Sequence, residues 1–334
     1  MRRVTVALAA ALVTAIPSSA TTAVVSASSL RVGLVVPVGI APTNRNIVGL
    51  PYLGFVRAVR ELGVQGRVVR EAPNEDATRE LAFLARQRYD LIVMGTPDSS
   101  PNALDTVARE FPDARFLLPD APHRLLPHRP KNVQGEDFRV GEAAYLAGYL
   151  AALMETLRPG RDVVGTVGGY KFSGVDRWIV PFQAGARHAN ARITTLNTYA
   201  NDFVAPSKCH KAALDQIAKG AGVLFQVAGA CGLGTLQAAK EKHVWGVGVD
   251  VDESYLGPHI LTSATLRSDR SVYLAIKQLV DGRFTTGGDT VYNLANGGVA
   301  LGRISPRVPK SFLHRLERVR RDIIAGRIRL PRLS

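Results

Sequence analysis

Short apolar runs alternate with amphipathic helical stretches along this chain, and they do so in two successive series. Strand–helix–strand alternation places neighbouring strands parallel, because a parallel pair must be joined by a crossover long enough to hold a helix. In the first series, SLRVGLVVPVG (29–39), GRVVREA (66–72), LIVMGTP (91–97) and RFLLPDA (115–121) read as strands. The helices between them are YLGFVRAVRELG (52–63), DATRELAFLARQRYD (76–90), in which Asp76 is placed to cap, and NALDTVAREFPDA (102–114). The pattern then breaks at FRVGEAAYLAGYLAALMETLRPG (138–160), one long alanine-rich helix.

A second series follows it. DVVGTVGGY, RITTLNTYAND, AGVLFQVAG and VWGVGVDVD read as strands, with helices over WIVPFQAGARHAN, CHKAALDQIAKG and GTLQAAKEKH. Residues 259–282 read as a further strand and helix, TVYNLANGGVALGRI (290–304) as a strand pair, and PKSFLHRLERVRRDIIAG as a closing amphipathic helix. The chain is therefore expected to be α/β, with two Rossmann-like lobes. Open α/β lobes bind at the C-terminal ends of their strands, so two facing lobes would hold a ligand in a cleft and close on it by a hinge.

The segment AGACGLG (228–234) joins a strand to a helix by a glycine turn. Its spacing, Gly229-x-x-Gly232-x-Gly234, is not the G-x-G-x-x-G of a dinucleotide site. The turn serves either tight strand-to-helix reversal or close backbone approach to a ligand at a helix N-terminus. The only two cysteines, Cys209 and Cys231, open consecutive helices at one edge of the second sheet. They are read as a disulfide, the alternative being two buried thiols.

MRRVTVALAAALVTAIPSSATTAVVSA (1–27) has two arginines, an apolar stretch too short to span a bilayer, and small residues after it. It reads as a signal peptide, so the protein is expected to be exported to a periplasm, cell envelope or exterior, with no lipobox cysteine. About 300 residues remain, enough for two ordinary domains. The formal net charge is +14, to which the leader contributes only Arg2 and Arg3. The basic residues are dispersed, no zinc-finger or RNA motif occurs, and export removes most nucleic acid; peripheral attraction to an anionic envelope surface is the expected consequence. G-x-S-x-G, H-E-x-x-H and clustered histidines are absent from the sequence, so no enzyme, metal or cofactor is expected.

Four long stretches, FRVGEAAYLAGYLAAL, VGTVGGYKFSGVDRWIVPFQAGARHAN, LFQVAGACGLGTLQAAKEKHVWGVGVDVD and ILTSATLRSDRSVYLAIKQLVDG, resemble the basic membrane protein (BMP) family of ABC-transporter substrate-binding proteins. The resemblance runs from about Val32 to the C-terminal helix. It implies a type I periplasmic-binding-protein fold. On that pattern, residues 30–135 form the first lobe, completed by about 262–290, and residues 136–260 the second, completed by about 291–334. It implies a nucleoside-like solute, a purine nucleoside first, passed to a membrane permease. A sensing protein for another solute that feeds a signalling partner, or a nucleoside-processing enzyme, are the alternatives.

Carried over residue by residue, the resemblance implies that Asp250 clamps ribose hydroxyls, Phe203 stacks on the base and Gly229 offers backbone contact. Asn46, Asp120 and Arg267 match polar positions, and Trp178 faces either cleft or core. The sequence departs from the family at Ile47, where a second stacking aromatic is usual, and at Leu266, where a lysine is usual.

Overall fold

The computed structural model describes residues 29–41, 43, 46–71, 76–95, 101–160 and 162–331; the expected leader lies outside them. In chain order the elements are β1 (Arg31–Val36), α1 (Gly49–Leu62), β2 (Gln65–Arg70), α2 (Thr78–Arg86), β3 (Leu91–Met94), α3 (Pro101–Glu110), β4 (Phe116–Leu118) and β5 (Val133–Phe138). Then come α4 (Val140–Glu155), β6 (Val163–Gly168), α5 (Ser173–Ala189), β7 (Thr194–Tyr199), α6 (Pro206–Ala218), β8 (Val223–Val227), α7 (Gly232–Glu241), β9 (Trp245–Asp250) and β10 (Ile260–Leu266). The chain ends with α8 (Ser268–Val280), β11 (Gly288–Tyr292), β12 (Val299–Leu301) and α9 (Lys310–Ile324).

These strands build two six-stranded sheets, ordered β11-β5-β4-β3-β1-β2 and β12-β10-β9-β8-β6-β7. Every pairing is parallel except β10 with β12. Helices cover both faces, which is why β3, β6, β8 and β10 are buried along their whole length. The long helix α4 is buried almost all round, between the second sheet, α5 and α9. It meets α5 at very short range: a β-carbon on Gly148 would collide with the Phe182 carbonyl, and one on Gly185 with that of Tyr145. This is the two-lobed α/β architecture of type I periplasmic solute-binding proteins.

The chain passes between the sheets three times, from β5 to α4, from β10 to α8 and from β11 to β12. The crossings lie side by side. The Arg139 amide donates to the Tyr292 carbonyl (2.7 Å) and the Arg267 amide to that of Gly298 (2.9 Å). Phe138 and Tyr292 stack across the first and third crossings, with ring centroids 4.7 Å apart. Three short adjacent connections make a hinge, because a few backbone torsions can absorb the motion of two rigid lobes.

Two expectations are corrected here. β10, placed among the residues completing the first lobe (262–290), pairs with β9 in the second sheet; only α8 and β11 return to the first. Residues 290–304 are not a strand pair, since β11 joins β5 and β12 joins β10. β5 was invisible to periodicity because VQGEDF is polar yet buried throughout. Its side chains are matched one by one: Gln134 with Thr290, Glu136 with Ser271 and Asp137 with Arg124.

Candidate functional site

The C-terminal ends of β6, β7 and β8 carry an exposed aromatic group. Tyr170 and Phe172 follow β6, and Phe203 follows β7; the Phe203 ring lies 5.3 Å from that of Tyr170 and 6.2 Å from that of Phe172. Phe203 keeps 36 % of its surface exposed and forms one exposed patch with Tyr170 and Phe172. Its loop is pinned by Asp202, whose carboxylate accepts the Val204 and Ala205 amides (2.7 and 2.9 Å) and pairs with Lys208 at 2.8 Å. The Lys208 ammonium, together with those two amides, holds the Asp202 carboxyl far below the usual carboxylate range.

The glycine turn packs against this loop. The Phe203 carbonyl accepts the Cys231 amide at 3.0 Å, and a β-carbon on Gly229 would sit 3.3 Å from the same oxygen. Gly229 has φ +55°, the left-handed region in which glycine carries no steric cost. The Cys209–Cys231 disulfide lies directly behind, joining the first turn of α6 to the start of α7 with Cα atoms 5.5 Å apart. Both cysteines are fully buried in an apolar cluster with Val167, Leu224 and Ala228. The bridge therefore ties the turn and the Phe203 loop to one rigid base.

On the neighbouring strand, Asp250 ends β9 with φ +64°. The loop after it is held by Glu253, whose carboxylate accepts Gln226 Nε2 (2.7 Å) and the Val249 amide (3.2 Å), while the Glu253 amide donates to Ser263 Oγ (3.0 Å). Asp252 accepts the amides of Ser254 and Arg303. The acidic run DVDES is thus two anchoring carboxylates that fix one strand-end carboxylate. Among the described residues no group of three or more histidine, cysteine or acidic side chains could hold a metal ion.

From the other lobe, Asp120 closes the space at the end of β4. It has φ +54°, is almost buried, and receives Arg177 Nη2 of α5 at 2.8 Å. Beside it, Glu136 is fully buried. Ser271 Oγ donates to its Oε2 at 2.5 Å, and its Oε1 has no hydrogen-bond partner in the structure. Burial pushes the Glu136 carboxyl up to about 8, the Ser271 hydroxyl pulls it partly back, and the Asp120 charge pushes it further up. Burial likewise raises Glu253 to about 7.

Both shifts have a consequence for stability. A carboxyl raised from 4.5 to about 8 keeps its proton in the folded chain where the unfolded chain has released it, so stability falls as pH rises through that window and levels off above it. In urea unfolding at about pH 5, 6.5 and 8.5, Glu136→Gln is expected to lose much of this slope and to exceed the parent in stability at the highest pH. Equal slopes in the two proteins would show that Glu136 ionises freely in the fold.

Other expected site residues turn elsewhere. Trp178 is 2 % exposed and packs in the core of the second lobe with Ile179 and Phe182, so it does not line the cleft. Asn46 accepts the Gly49 amide on Oδ1 (3.0 Å) at the entry to α1. Arg267 forms a two-pronged pair with Asp269 (2.8 and 3.0 Å). Leu266 is buried in β10 and Ile47 packs against the same core. Tyr170, Phe172 and Arg177 were missed, although GGYKF directly after a buried strand marked a strand-end loop with two aromatics. A hollow of about 800 Å³ between Lys240, Trp245, His259 and Arg307 lies at the opposite end of the strands, where β9 begins. The aromatic group, the glycine turn and Asp250 lie instead at the C-terminal ends of strands in one sheet, the end at which open α/β sheets bind ligands.

The Bmp family, described as ABC transporter substrate-binding protein PnrA-like, matches residues 51–334. The chain belongs to this family. The family is extracytoplasmic, its members bind small molecules and deliver them to permeases, and no helix among the described residues is long and apolar enough to cross a membrane. An ABC transporter nucleoside-binding protein from Lactococcus lactis is 28 % identical over 274 residues, covering 77 % of this chain and 75 % of that one. A protein of Pyrococcus abyssi called an uncharacterized lipoprotein is 30 % identical over 263 residues, 75 % of this chain and 63 % of the other. A solved solute-binding protein of an ABC transporter system from Aeropyrum pernix superposes with a TM-score of 0.78 at 24 % identity, covering 91 % of this chain and 94 % of that chain.

Proposed function

We propose that this protein binds a purine nucleoside between its lobes and hands it to a membrane permease. The observation that carries the reading is that one sheet bears, at its C-terminal strand ends, an exposed aromatic group (Tyr170, Phe172, Phe203), a disulfide-braced glycine turn and a strand-end carboxylate (Asp250). An aromatic face suits a flat base, and a fixed carboxylate suits the vicinal hydroxyls of ribose, to which it makes charge-assisted hydrogen bonds. Sugars alone would leave the aromatic group under-used, and bare bases would leave Asp250 without hydroxyls to accept. The name of the Lactococcus relative points the same way. Export to the cell envelope belongs to the same proposal, and rests on the signal-like sequence of residues 1–27.

The test is thermal unfolding of the mature chain against nucleosides, bases, flavins and sugars. A ligand at 100 times its dissociation constant adds about 2.7 kcal/mol to the folded state, a clear rise in midpoint. Guanosine, inosine or adenosine is expected to give that rise, and ribose and free bases are expected to give none. A rise with sugars alone would replace the nucleoside by a sugar ligand.

A further inference from the structure

Arg177 lies in the first turns of α5, in the second lobe, and its guanidinium reaches Asp120 after β4, in the first lobe. The pair is 2.8 Å long; the Asp120 side chain is 7 % exposed and that of Arg177 27 %. The guanidinium keeps enough contact with water for salt to weaken the pair, and breaking it takes one charged partner from a largely buried carboxylate. That carboxylate also faces Glu136, whose ionisation it opposes, so the guanidinium is the cation that makes a negative Asp120 tolerable at this place. Both partners are anchored independently of each other. The backbone next to Asp120 is tied to β5 through the Glu136 amide and the Ala121 carbonyl (3.0 Å), and α5 is packed along α4. The bond can therefore form only when the two lobes stand together, and it is lost when the hinge opens.

We propose that Arg177 is a closure residue, which clips Asp120 across the cleft and so sets how long the lobes, and any solute between them, stay together. Solute enters only the open form, so the clip also limits how much of the solute-free protein can admit it. The inference rests on the two-lobed solute-binding reading but not on the solute's being a nucleoside.

Small-angle scattering of the mature protein without added solute, at about 50 and 500 mM salt, tests it directly. The parent is expected to be compact at low salt and to expand at high salt as the pair is screened. Arg177→Gln is expected to be expanded at both, with the ratio of closed to open forms lowered roughly tenfold. Arg177→Lys, which keeps the charge, is expected to lie between them. Asp120→Asn combined with Arg177→Gln is expected to be no more open than either alone, because both remove one bond. In stopped-flow experiments with guanosine, Arg177→Gln is expected to raise the dissociation rate about tenfold and to raise the association rate as well, because more of the solute-free protein stands open. A folded Arg177→Gln as compact as the parent, with the same response to salt, would overturn the proposal; so would additive effects in the double variant. Should Arg177→Gln not fold, Arg177→Lys and the parent's salt response decide by the same criteria. If guanosine does not bind the parent, the nucleoside reading fails while scattering still decides the role of Arg177.

Discussion

Replacing Cys209 and Cys231 together by serine is expected to cost about 3 kcal/mol of stability, the loop-closure entropy of a bridge spanning 22 residues. In a chain with domains of this size each kilocalorie moves the midpoint by about 2–4 °C, so thermal unfolding should fall by roughly 6–12 °C. The effect should not stop at stability. The bridge holds α6 and α7 at the point where the Phe203 carbonyl bonds the Cys231 amide. Proton exchange at that amide should therefore quicken more than in the first lobe, which shares no contact with the bridge. Reductant on the parent should reproduce both changes. A serine double variant that melts within a degree or two of the parent would mean that the apolar packing around Val167 and Leu224 suffices to hold the turn.

The second large effect is on binding. Asp250→Ala is expected to weaken purine nucleoside binding by on the order of 100-fold or more, since a carboxylate accepting hydroxyls contributes about 1.5–3 kcal/mol per charge-assisted bond. Asp250→Asn should fall between, keeping an acceptor without the charge. Phe203→Ala should cost about 1–3 kcal/mol from lost stacking. The two substitutions act on different parts of the ligand, so 2′-deoxynucleosides should lose part of the penalty for Asp250→Ala and none of that for Phe203→Ala. Equilibrium titrations with guanosine and its deoxy analogue measure this. Equal affinities of the parent and Asp250→Ala for guanosine would remove the carboxylate from the site.

The contrast between what the chain's letters revealed and what they hid has a physical basis. The βα alternation was legible because most strands buried on both faces are largely apolar, as in LIVM of β3 and, but for Gln226, VLFQV of β8. The cysteine pair was legible because consecutive parallel units bring their helix starts together. β5 was hidden because its buried polar residues find partners as far away as Thr290 and Ser271, which no local pattern records. The membership of β10 was hidden because pairing along a sheet edge depends on the whole topology. Phe203 was singled out by the family resemblance and Gly229 by the glycine turn as well, but the direction of a side chain was not legible: Trp178 points inward from the same helix that sends Arg177 outward to the opposite lobe. Asn46 and Arg267 show the same limit, since each finds a polar partner within three residues.

The most direct measurement is calorimetric titration of guanosine into the mature protein, unfolded and refolded beforehand to strip any ligand carried through purification. The account predicts saturable one-to-one binding with a negative heat-capacity change, as apolar surface of the base and of the aromatic group at Phe203 is buried. An absence of heat with guanosine, inosine and adenosine alike, from a protein that melts cooperatively, would contradict it.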